Sequence, residues 1–162
     1  MSTVVISGSV RDQSAVRRWV EYWVGRGNDV VDAPKPIPQS EFHAEYPEVF
    51  RHFYDRLADC DVLFVMNEDR DGVVGYVGAA TFAELSFAVA RNVCGHKPVE
   101  IVVLKPVGDD VHAADEIRLW ADLGWITFHE SVGPAPRERP PSDERLLSGG
   151  CSVRSADTDP GR

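Results

Sequence analysis

A carboxylate in the first turns of a helix, just after a glycine-bearing loop, can do covalent chemistry on a sugar. Glu84 occupies such a place. The run Val62 to Met66 is apolar and short enough for a buried strand. A polar loop with Gly72, Gly75 and Gly78 follows, and a helical pattern from Ala79 to Arg91 carries Glu84. The helix macrodipole favours an ionised carboxyl near the N-terminus. That anion can attack an anomeric carbon, or stabilise an oxocarbenium-like transition state as a glycosidic bond breaks. The plain alternative is a surface Glu that complements the dipole.

Other candidates flank it. Gly8, Ser9 and Arg11 follow an apolar strand and precede a helix. Backbone N–H groups, the Ser9 hydroxyl and the Arg11 guanidinium suit a phosphate or a ribose hydroxyl. The alternative is a β–α turn with a solvated Arg. The loop is no dinucleotide fingerprint, because the later glycines of that motif are missing. Asn67 and Asp69 can bind sugar hydroxyls, or belong to a solvated acidic loop. Tyr76 can stack on a base, and Asp69 or Tyr76 can assist a leaving base. Thr81 can cap the helix or donate to a ligand. His43, His52, His96, His112 and His129 form no metal-binding pair. Cys60, at the entry to a strand, reads as a core residue. No metal and no cofactor are expected.

The elements that must position these groups alternate. Strands are expected at Thr3–Ser7, Asp29–Asp32, Val62–Met66, Val99–Leu104 and Trp125–Phe128. Helices are expected at Gln13–Arg26, from Pro47 in its first turn to the segment before Val62, at Ala79–Arg91 and at Ala113–Leu123. Gly27 suits the left-handed position after the first helix. Ala33 to Glu45 reads as a long loop. This alternation predicts an α/β fold: a single doubly wound, flavodoxin-like or Rossmann-like sheet of five parallel strands in the order 2-1-3-4-5, with helices on both faces. In such sheets ligands bind at the carboxyl ends of the strands where the order reverses. Residues 1–132 form the expected domain. Residues 133–162, with Pro134, Pro136, Pro140, Pro141 and Pro160 among Gly, Ser and charges, read as a disordered tail or a segment docked on a partner.

The bulk numbers narrow the partners. The chain has 162 residues, 43% of them hydrophobic, enough for one domain with a sizeable core. Its net charge of -9, from 26 acidic and 17 basic residues, disfavours a nucleic-acid partner. No apolar run is long enough for a membrane span. Three cysteines without metal-like spacing and no evident targeting segment predict a cytoplasmic location.

Three stretches together resemble the nucleoside 2-deoxyribosyltransferase superfamily, which includes the 2′-deoxynucleoside 5′-monophosphate N-glycosidases. They are Ile6 to Arg11, Ala58 to Asn67, and Gly75 to Ala88 around Gly78-Ala-Ala-Thr-Phe-Ala-Glu84, with Lys97-Pro98 as a fourth match. The resemblance spans roughly Val4 to Leu104. It implies Glu84 as the nucleophile that takes the sugar. It implies Gly8, Ser9 and Arg11 against the sugar or 5′-phosphate. It implies a substrate contact at Gly78, where the family often has Asp or Ser. It also implies a homodimer acting on a small nucleoside or nucleotide. The chain departs from the family at Phe53, where an Asp is common, and at Ser86, where Gly is usual. The expected function is therefore cleavage or transfer of an N-glycosidic bond through Glu84. The alternative is a non-catalytic nucleotide-binding or sensing domain on the same scaffold.

Overall fold

A strand covered on both faces must be apolar at every position. Val62 to Met66 meets this condition: all five residues are buried. In the computed structural model, which describes residues 1–129, they form the central strand β3. The expectation for residues 133–162 lies outside the described residues. Beside β3 run β1 (Thr3–Gly8), β2 (Asp29–Asp32), β4 (Glu100–Val103) and β5 (Thr127–Phe128). All pairs are parallel and the order is β2-β1-β3-β4-β5, the predicted architecture. The crossovers are α1 (Gln13–Gly25), α2 (Phe42–Asp59), α3 (Ala79–Val93) and α4 (Ala114–Asp122). Among the described residues, no helix is long and apolar enough to cross a membrane.

The period of two along β1 sorts its side chains into two cores. Val5 joins Leu57 of α2, Leu85 of α3 and Ile117 of α4 on one face. Val4 and Ile6 join Ala15, Val16 and Trp19 of α1 on the other. The order reverses at β1, since α1 leads to β2 on one side and α2 leads back to β3 on the other. The carboxyl ends of β1 and β3 thus open side by side, with Gly8 paired to Met66. A Cβ on Gly8 would stand 2.8 Å from the Met66 carbonyl oxygen, so only glycine fits there. At the opposite end, the Thr3 N–H and hydroxyl each donate to Asp61 Oδ2 at 2.9 Å, tying β1 to the start of β3.

Between β1 and β2 the register shifts. Val4 pairs with Val30, but Val5 pairs with Asp32, so Val31 is skipped. Such a bulge re-aims the side chain beyond it. It turns Asp32 toward α2, where His52 Nε2 lies 4.0 Å from Asp32 Oδ2.

Element ends follow local bonds. Asp12 caps α1 by accepting from Ser14 N–H (3.1 Å) and Ala15 N–H (2.9 Å). Gly27, at φ +79°, closes the helix as expected. α2 starts at Phe42, so Pro47 lies beyond the first turn rather than in it, and Ala33–Glu45 is not all loop. β4 begins after Val99 because Asn92 holds the Val99 backbone, bonding its N–H and its carbonyl at 2.8 Å each. β5 begins after Trp125 because Trp125 N–H closes the last turn of α4 onto the Trp120 carbonyl. The buried Arg91 donates to the backbone carbonyls of Leu57, Cys60, Lys97 and Pro98, and to Cys60 Sγ at 4.0 Å. It fastens the end of α2 to the approach to β4.

Candidate functional site

Ser7 lies two residues beyond Val5, on the same face of β1, and is fully buried. Its hydroxyl donates to Glu84 Oε2. Glu84 reaches it from the second turn of α3, whose buried stripe of Thr81, Leu85 and Ala88 seats the helix on the sheet. Burial raises the Glu84 carboxyl to about 7; the Ser7 bond opposes that rise and the nearby Asp32 charge adds to it. Asp32 is 9% exposed. The Tyr54 phenol of α2 stands on the same side, and its own proton is held more tightly through burial and the Glu84 charge. The carboxyl can exchange a proton near neutral pH. As the anion it is a nucleophile backed by a hydroxyl donor.

The loop after β3 builds a neighbouring cleft of about 340 Å³, lined in part by Ser9, Arg11, Asp69, Arg70 and Tyr76. Asp71 and Gly72, both at positive φ, make the two-residue turn of a small hairpin in which Arg70 and Val73 bond each other's backbone. That hairpin sets Arg70 over the Tyr76 ring, 4.6 Å from its centre. Gly75 is required where the loop passes Pro106: a Cβ there would lie 2.5 Å from the Pro106 carbonyl oxygen.

The structure thus brings Ser9, Arg11, Asp69 and Tyr76 together, and Glu84 is not among the residues lining their cleft. Asp69 is an anchor within it. It accepts from Gly75 N–H at 2.8 Å and meets Lys105 Nζ at 3.2 Å, which holds its carboxyl below the usual range. Asn67 is fully buried. Its amide bonds the Lys105 carbonyl (2.8 Å), the Lys105 N–H (3.1 Å) and the Gly75 carbonyl (3.3 Å), clamping two loops rather than facing a ligand. Gly8 joins the strand ends. Gly78 precedes α3, where a Cβ would stand 3.2 Å from the Tyr76 hydroxyl. Thr81 is 8% exposed on the seated face of α3. The N–H groups of Ser14 and Ala15 already serve Asp12, so they are not open to a phosphate.

Three site residues escaped the sequence reading. Ser7 was legible in principle, since it shares the parity of Val5 along the strand. Asp32 and Tyr54 were not, since a bulge and a helix docking bring them in. Among the described residues, no three of His, Cys, Asp and Glu stand together as metal ligands. No model of a known protein family matches the chain, and no curated protein matches it in sequence.

Proposed function

We propose that this protein cleaves or transfers the N-glycosidic bond of a nucleoside or nucleoside 5′-monophosphate, with Glu84 as nucleophile. The reading joins the motif resemblance to one observation that carries it. A half-buried carboxyl at the switch point of the sheet accepts a hydroxyl bond from Ser7, and its partial burial pushes it up to about 7. In this scheme the Glu84 anion bonds to C1′. The C1′–N bond breaks, the base leaves with the electron pair and takes up a proton. Water or a second base then attacks C1′ and frees the carboxylate. Ser9 and Arg11 bind the 5′ end of the substrate, and Tyr76 stacks on the base.

The test is base release from a panel of nucleosides and nucleotides, followed by chromatography. Release that falls by orders of magnitude in Glu84→Gln supports the reading. A non-catalytic nucleotide sensor is the second reading, favoured by the absence of Glu84 from the lining of the Ser9–Tyr76 cleft. Wild-type protein that binds nucleotides and releases no base selects it.

The same reading includes a homodimer. Phe42, Tyr46, Phe50 and Tyr54 repeat every fourth residue along α2, with ring centres 4.9, 5.8 and 4.5 Å apart. Tyr46 and Phe50 are 42% and 47% exposed. Such a contiguous aromatic face suits a symmetric interface.

A further inference from the structure

A charge held near a reacting carboxyl changes how tightly that carboxyl keeps its proton. Glu84 has Ser7 from β1 as its hydroxyl donor, with Asp32 from β2 and Tyr54 from α2 as its ionisable neighbours. Asp32 has a different set. The Ala33 N–H donates to its Oδ1 at 2.8 Å, Lys35 Nζ lies 3.7 Å from the same oxygen, and His52 Nε2 lies 4.0 Å from Oδ2. A cation, a histidine and an N–H donor therefore face Asp32, while Glu84 meets the Ser7 hydroxyl. The bulge that skips Val31 creates this pairing, because it sets Asp32 opposite Val5 and on the face that Val5 shares with Ser7.

We propose that Asp32 is a positioning residue for Glu84: the bulge in β2 fixes a second carboxylate on the face of the sheet from which Ser7 bonds Glu84. The role rests on the reading of Glu84 as the reacting carboxylate. Its chemical consequence is twofold. Asp32 delays the loss of the Glu84 proton to solvent, and the anion formed is the more basic nucleophile for it. The Asp32 charge also opposes the positive charge that grows on the sugar as the C1′–N bond breaks.

The experiment follows the Glu84 carboxyl directly, by infrared or carbon-13 titration of glutamate-labelled protein, with Glu84→Gln to assign the signal. Asp32→Asn keeps the shape and removes the charge. The Glu84 midpoint is expected to fall by about half a pH unit or more. The acid limb of base release is expected to move with it. Lys35→Met, at an exposed position, leaves Asp32 less neutralised and is expected to move the midpoint the other way. A role for Asp32 in folding alone lowers the rate at every pH and moves neither midpoint. An unmoved Glu84 midpoint in folded Asp32→Asn overturns the proposal. If that variant does not fold, an unmoved midpoint in Lys35→Met overturns it. Should wild-type protein release no base from any substrate, the glycosidic reading fails, and the carboxyl titration still decides the role of Asp32.

Discussion

Glu84 carries a stability signature as well as a chemical one. Its proton is bound more tightly in the folded protein, with a midpoint raised from 4.5 to about 7. Between those values the folded state holds more protons than the unfolded chain, so stability falls as pH rises from about 4.5 to about 7 and is flat above. The full span corresponds to about 3 kcal/mol. Glu84→Gln removes that slope. Its urea midpoint is therefore expected to gain on the wild type between pH 5 and pH 8; parallel midpoints at both pH values contradict a carboxyl that holds its proton in the fold. Arg11 offers a second residue-level test. Its guanidinium is exposed at the cleft, where a phosphate gives it a bidentate partner that a bare hydroxyl does not. Arg11→Ala is expected to weaken a nucleoside monophosphate by about tenfold or more and its nucleoside little, by calorimetry. Equal losses assign Arg11 to another part of the ligand.

Among the elements, those set by their own residues were legible. The continuous apolar run of β3 and the Gly27 stop of α1 needed no long-range knowledge. The start of α2 was misread because Pro47 suits a first turn, yet the helix runs one turn ahead of it and leaves the bond from position 47 to the His43 carbonyl unmade. The aim of Asp32 was not legible, because a strand written Asp29-Val-Val-Asp32 does not say where a bulge falls. Asp69 was legible as a polar loop residue, but its ties to Gly75 and Lys105 arise only once two loops meet. Arg91 shows the same lesson: read alone it ends a helix, while in the fold it holds carbonyls from two other segments. Arg91→Met keeps the bulk and strands those carbonyls. A loss of about 2–4 kcal/mol in denaturant unfolding is expected. A loss within about 0.5 kcal/mol would assign the carbonyls to water instead.

For the whole molecule, the doubly wound order was readable because alternating strands and helices leave few topologies. It brings Glu84, Asp32 and the Ser9–Tyr76 cleft to the side of the sheet where such folds bind ligands, and it leaves the aromatic face of α2 uncovered within the described residues. If that face joins two copies, Phe50→Glu sets a charge against its own copy across the two-fold axis. Light scattering at micromolar concentration is expected to read about twice the 17.9 kDa chain mass for the wild type and the single mass for the variant. A wild-type monomer removes the interface.

In the proposed reaction Glu84 bonds to a sugar. Wild-type protein mixed with substrate, quenched in acid within a turnover and digested should yield one peptide heavier by a sugar residue, with the added mass on Glu84. Glu84→Gln should yield none. Base released in quantity with no adduct on Glu84, or undiminished release by Glu84→Gln, contradicts a covalent role for Glu84.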